Sequence, residues 1–79
     1  MHISIYSLQN TLFDGEAEKL IANTPQGQIT VLDRHLPLIS TLKGPAVELV
    51  DNTGKRTKIE ISSGVLEVRP ESEAVLLVQ

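Results

Sequence analysis

Cysteine and tryptophan are both absent from this 79-residue chain. Without thiols there are no disulfides and no thiolate metal centres, so burial and backbone hydrogen bonds must hold the fold. The lack of cysteine also fits synthesis in a reducing compartment. Aromatic residues are scarce: Tyr6 and Phe13 are the whole complement, too few to build the stacking platforms of a single-stranded nucleic-acid binder. Positive charge is thin, with 7 Lys and Arg against 10 Asp and Glu for a net charge of −3. That balance, with the basic residues scattered, argues against a grip on phosphate backbones or anionic lipid. No stretch approaches the roughly 18 to 20 consecutive apolar residues of a membrane-spanning helix. The opening residues Met1-His2-Ile3-Ser4-Ile5 lack the basic cluster and apolar run of a secretory signal. The expectation is a chain made in the cytosol and held at a membrane, if at all, by a partner.

What is present is aliphatic. Hydrophobic residues make up 41% of the chain, mostly Leu, Ile and Val, enough to fill the thin core of two packed sheets. A chain of this length buries only about 60% of its unfolded surface, so a single domain over 1–79 is expected. Apolar residues alternate with polar ones almost from end to end. Ile3 and Ile5 alternate with Ser4 and Tyr6, which gives a first strand with one buried face and leaves His2 in solvent. Glu16 to Ala22 is too short and uncapped for a helix and reads as strand or turn. Thr24-Pro25-Gln26-Gly27 reads as a turn, Gln28 to Leu32 as a strand, and Asp33-Arg34-His35 as a loop. Pro37 reads as the start of an edge strand ending near Leu42, and Lys43-Gly44-Pro45 as a break in the chain. Ala46 to Val50 and Arg56 to Ile61 make a hairpin around Asp51-Asn52-Thr53-Gly54-Lys55. Ser62-Ser63-Gly64 reads as a tight corner, Val65 to Val68 as a strand, Pro70 to Glu73 as a turn and Ala74 to Val78 as the last strand. The fold class is all-β, a flattened sandwich or barrel of about eight to ten short strands.

Catalytic chemistry has little to work with. Asp14, Glu16 and Glu18 lack the ligand spacing and glycine turn of a calcium loop, and a solvated strand edge is the plainer reading. Asp33 and His35 with Ser40, Ser62 or Ser63 hold the residue types of a nucleophilic triad, but no Gly-x-Ser-x-Gly elbow is present. The five glycines are dispersed and make no phosphate-cradling loop. The expectation is a non-enzymatic domain without cofactor or metal that binds other proteins.

Three stretches in order carry a resemblance: Leu12-Phe13-Asp14-Gly15-Glu16-Ala17-Glu18-Lys19-Leu20, Gly27 to Leu32, and His35-Leu36-Pro37-Leu38-Ile39-Ser40-Thr41-Leu42. With Ile61-Ser62-Ser63-Gly64-Val65-Leu66-Glu67-Val68 and Ala74 to Val78, the chain resembles the N-terminal β-sandwich domain of the epsilon subunit of F-type ATP synthases, called delta in mitochondria. The resemblance implies a sandwich of about ten strands in the central stalk, or rotor. There the domain docks on the gamma subunit and the c-ring at the cytoplasmic face of the bacterial inner membrane, in a peripheral complex that couples ion transport to ATP synthesis. It implies partner contacts by position: Gln28 toward the c-ring, His35 between gamma and the ring with Arg34 beside it and Ser40 following, and Ser7 and Ser62 near gamma. Four departures stand out. Thr30 replaces a usual Gly, Asp33-Arg34 a usual Pro-Gly, Gly44-Pro45 a reversed pair, and Ser63 the first of two glycines. Asp33-Arg34 is expected to loosen its loop and to add charge where partners dock. The family's C-terminal pair of helices is missing from the 79 residues, so its inhibitory and ATP-binding roles are not carried over. A sandwich that keeps only the scaffold and serves another protein or small ligand is the alternative.

Overall fold

The computed structural model describes residues 1–34 and 36–79; His35, one of the expected contact residues, lies outside the described residues. Among the described residues run eight strands and no helix: β1 (His2–Tyr6), β2 (Thr11–Glu16), β3 (Lys19–Thr24), β4 (Gly27–Leu32), β5 (Leu38–Val50), β6 (Arg56–Glu60), β7 (Ser63–Arg69) and β8 (Glu73–Val78). They form one hydrogen-bonded path in the order β2-β1-β8-β7-β5-β3-β4, with β6 also paired to β5. All pairs are antiparallel except β1 with β8.

β5 turns this path into two layers. Its 13 residues would span about 43 Å if straight, yet the molecule measures only 26 × 22 × 20 Å. The strand therefore bends, and the bend falls at the cis Gly44–Pro45 bond. Before it, Leu38 to Lys43 pair with β7; after it, Ala46 to Val50 pair with β6, and β3 runs along the same half. One layer is thus β2-β1-β8-β7 and the first half of β5, the other the second half of β5 with β6, β3 and β4. The expected break at Lys43-Gly44-Pro45 is a corner inside one strand, because both halves stay hydrogen-bonded on either side of it. Pro37 stands just before an edge of the first layer, since Leu38 to Leu42 pair with β7 alone and β3 joins β5 only from Lys43 onward. Ser63 and Gly64 already belong to β7, which leaves only Ser62 as the bend before it.

The turns follow their chemistry. Gly27 takes a φ of 122°, a conformation that costs glycine little. The Thr24 hydroxyl donates to the Gly27 carbonyl at 2.7 Å and accepts from the Gln26 amide, which closes the β3–β4 hairpin. In the β5–β6 hairpin the Asp51 carboxylate accepts from the Thr53 hydroxyl, the Thr53 amide and the Lys55 amide. Those bonds, the Thr53 hydroxyl first, hold its carboxyl below the ordinary carboxylate value.

The pleat sorts side chains into rows. Facing the second layer, one row runs Phe13, Ile5, Leu76, Leu66, Ser40, and the next Gly15, Ile3, Ala74, Val68, Leu38. They meet Leu20, Ala22, Val31, Val47 and Leu49 of the second layer in one core. Ile3, Ile5, Leu20, Leu66 and Leu76 lose all solvent contact. The opposite rows form the outer face of the first layer.

Candidate functional site

On the outer face of the first layer, one row reads Thr11, Tyr6, Leu77, Val65, Thr41 across five strands. The next reads Asp14, Ser4, Val75, Glu67, Ile39, and the third Glu16, His2, Glu73, Arg69. The face therefore grades from apolar at one end to ionic at the other. At the apolar end Leu77 keeps 58% of its surface exposed and Leu8 97%. Together with Tyr6, Val65 and Thr41, these two leucines edge a groove of about 660 Å³ whose lining contains no charged side chain. Contiguous exposed apolar surface of this sort on a small domain marks a protein interface more often than chance. Leu8 stands at the tip of the β1–β2 turn. The Ser7 hydroxyl donates to the Asn10 carbonyl and accepts from the Asn10 amide, which holds that turn closed and Leu8 outward.

The outer face of the second layer is different. There Lys58, Glu48, Ile21 and Thr30 form a row, and Arg56 pairs with Glu48 at 2.7 Å. It is a solvated, largely polar surface, and the apolar face of the first layer is the outlier of the molecule.

The five described residues among those expected to meet partners do not form one patch. Ser7 and Ser62 lie at the groove end: Ser7 lines the groove, and the Ser62 amide donates to the carbonyl of Gln79, itself a lining residue. Gln28 reaches the same end of the sandwich. It faces Asn23 across β3–β4, and the Asn23 amide group donates to the Gly44 carbonyl, beside Ser62. Arg34 sits at the opposite end. Ser40 occupies the inward row beside Leu66, with its hydroxyl on the Thr41 carbonyl, so it is unavailable to a partner on the outer face. Ser4 is buried between its neighbours in place of the solvated position expected for it. His2 is likewise not free in solvent; both ring nitrogens lie against carboxylates. Tyr6, Leu8, Val65 and Leu77 were the residues missed, although the unbroken apolar run Val75-Leu76-Leu77-Val78 signals a strand with two apolar faces.

The Asp33 side chain has partners within the chain. Its carboxylate lies 3.5 Å from the Met1 amine, and a hydrogen bond with the Ser72 side chain is the first cause holding its carboxyl below the ordinary value. Arg34 adopts a φ of 64°, the left-handed region that L side chains enter at a cost. Arg34→Gly is therefore expected to raise stability by up to about 1 kcal/mol, the strain relieved less the added freedom of the unfolded chain. A urea denaturation curve checks it, and an unchanged or lower midpoint contradicts it.

The groove lining holds no Asp, Glu, His or Cys. Among the described residues no three His, Cys, Asp or Glu stand together to hold a metal, and no helix is long and apolar enough to cross a membrane. The family model of the beta-sandwich domain of the ATP synthase delta/epsilon chain matches residues 1–78. The chain belongs to that family. Among its relatives, the ATP synthase epsilon chain of Exiguobacterium sp. is 32% identical over 76 residues, which cover 96% of this chain and 56% of the relative. The epsilon chain of Psychrobacter arcticus is 40% identical over 72 residues, 91% of this chain and 52% of the relative. The chain thus spans about half the length of these family members. Among solved structures, a chain of the mitochondrial ATP synthase of Euglena gracilis (OSCP, F1 and c-ring) superposes with a TM-score of 0.87 at 19% identity, covering 96% of this chain and 48% of that one. A chain of the Tetrahymena thermophila mitochondrial ATP synthase central stalk and c-ring gives 0.79 at 11% identity, over 99% and 62%. At those identities the likeness is one of fold, and it agrees with the sandwich described above.

Proposed function

We propose that this domain is a non-catalytic central-stalk subunit of an F-type ATP synthase, which docks the gamma subunit onto the c-ring and so helps couple ion flow to ATP synthesis. The observation that carries the reading is the uncharged groove around Tyr6, Val65 and Leu77, on a chain whose family is the delta/epsilon sandwich. A rotor element must pass torque through a rigid body and a packed interface, and a short-stranded sandwich with a close-packed core suits that task. In this reading gamma covers the apolar face, with Ser7 and Ser62 at its rim. Gln28 stands on edge strand β4 for the c-ring, and Arg34 lies in the β4–β5 connection; His35 belongs to the same reading by its place in the sequence. The domain works at the cytoplasmic face of a bacterial membrane as part of the peripheral complex, and it needs no cofactor of its own.

Calorimetric titration with the gamma subunit encoded by the same organism tests this. Saturable one-to-one binding, with a dissociation constant of about 1 μM or tighter, is the expected outcome for a standard-sized interface. Absence of heat and of co-elution at about 100 μM overturns the reading.

A further inference from the structure

Among the described residues, β2, the first half of β5, β6 and β4 each have a strand neighbour on one side only. Such an edge offers unpaired backbone groups to another strand, and proteins blunt it with charge, proline or a bulge. β2 carries Asp14 and Glu16, and its register against β1 shifts at Ile5/Tyr6. The first half of β5 lies between Pro37 and Lys43. β6 exposes Arg56, Lys58 and Glu60. β4 has none of these guards. Gly27 to Leu32 hold no charge and no proline, and they pair with β3 throughout without a register shift.

The outer side of β4 is also open to solvent. Gly27, Gln28, Thr30 and Leu32 are exposed, while Val31 is buried and Ile29 packs on the core. The Gly27 carbonyl points at β3, where it accepts from the Thr24 hydroxyl at 2.7 Å. Backbone groups alternate in direction along an antiparallel strand. Ile29 and Val31 therefore bond toward β3 as well, and Gln28, Thr30 and Leu32 turn their N–H and C=O groups outward. Thr30 stands in the middle of these three.

We propose that free copies of this domain pair with each other along β4, antiparallel about a two-fold axis at Thr30. In that register Thr30 faces Thr30 of the second copy, and each Gln28 faces a Leu32. Each facing pair of outward residues exchanges both of its backbone hydrogen bonds. On the inner side Ile29 meets Val31 of the second copy, which extends the apolar row already shared with Ala22 and Leu20 of β3.

Self-complementarity is what singles out a second copy as the occupant. A two-fold contact presents the same edge from both sides, and on β4 it sets donor against acceptor and apolar against apolar, with no charge against its like. The same operation on β6 would set Lys58 against Lys58, a destabilising pair. One short strand from each copy makes a contact below the standard interface size, so the expected dissociation constant is about 100 μM. Gln28 lies inside the pairing, so the dimer and any other partner on Gln28 exclude each other. The inference does not depend on which protein covers the apolar face.

Sedimentation velocity of the whole chain from about 10 μM to about 1 mM tests it, and the weight-average mass should rise from monomer toward dimer over that range. Thr30→Lys changes an exposed side chain and sets two ammonium groups against each other in the dimer, so association should weaken at least about fivefold. The chain has no cysteine of its own, so Thr30→Cys places a single thiol on the axis, about 5.5 Å from its mate by Cβ. A short bis-thiol reagent should capture that variant as a covalent dimer while leaving Ile39→Cys uncaptured. A chain that stays monomeric at about 1 mM overturns the proposal, and so does association that Thr30→Lys leaves unchanged. Association lost in Leu77→Asp but kept in Thr30→Lys would place the contact on the apolar face and overturn it too. The cross-link and the lysine variant are independent, so failure of one to fold leaves the other and the wild-type series decisive.

Discussion

Adding a single methyl group at Gly64 or at Gly44 is expected to cost this domain about 2–3 kcal/mol each, the upper range for overpacking a tight site. At Gly64 the new Cβ would lie 2.6 Å from the Leu77 carbonyl oxygen and 3.0 Å from Val78 Cγ1. At Gly44 it would lie 2.5 Å from the Ile61 carbonyl oxygen. In each case the nearest atom is backbone and cannot swing aside as a side chain can. Leu77 belongs to the β7–β8 ladder, and the Ile61 amide is bonded to the Pro45 carbonyl at the corner of β5. Moving either carbonyl disturbs neighbouring ladder bonds, so relaxation would spread the cost without removing it. A domain of this size has roughly 4–12 kcal/mol of net stability in all, so the loss is large. At about 4–8 °C per kcal/mol, Gly64→Ala and Gly44→Ala should each melt at least about 8 °C below wild type by circular dichroism. A shift within about 2 °C would mean that the strands approach less closely there than described.

These glycines also mark how far the sequence could be read. Gly44-Pro45 and Ser62-Ser63-Gly64 both look like chain breaks, because the residues that end a strand are those that let one turn a corner. At Gly44 the physical need is close approach to Ile61, a residue far along the chain, and no local pattern reveals that. The single long β5 was hidden for the same reason, although the period-two alternation on both sides of the corner was plain. Inward residues such as Ile3, Ile5, Leu66 and Leu76 were legible because burial of one face imposes alternation directly. The outer face was less legible. Val65 beside Leu66, and Leu77 between Leu76 and Val78, break the alternation, and each break places an apolar residue in solvent. The expected contact residues were polar, and their positions along the chain said nothing of side-chain direction. Thus Ser40 proved to face inward, and Ser7 to serve the turn that presents Leu8. Arg34 and Ser62 came out at opposite ends of the sandwich.

That distinction between polar rim and apolar centre sets the second large effect. Leu77→Asp should weaken binding to gamma about 30-fold or more, a loss of at least 2 kcal/mol, which is the threshold of an interface hot spot. Leu77 stands between Tyr6 and Val65 in the outer row, 58% exposed, so nothing in the core is lost when it changes. The isolated domain should then lose only about 1 kcal/mol of stability, the span of strand propensity. In the complex, by contrast, the carboxylate would be driven into an uncharged groove with no cation to meet it, and its desolvation would fall entirely on the bound state. Charge changes at Gln28 and Arg34, both exposed, act through solvent-screened contacts and should alter affinity by no more than about 1 kcal/mol each. Calorimetry with gamma on Leu77→Asp, Gln28→Lys and Arg34→Glu separates the two schemes. If Leu77→Asp binds like wild type while Gln28→Lys or Arg34→Glu abolishes binding, gamma does not sit on the apolar face. In that case the face between Tyr6 and Thr41 must be covered by something else. If the order of effects is the one expected here, the apolar row supplies most of the affinity and the polar positions set register at its edge.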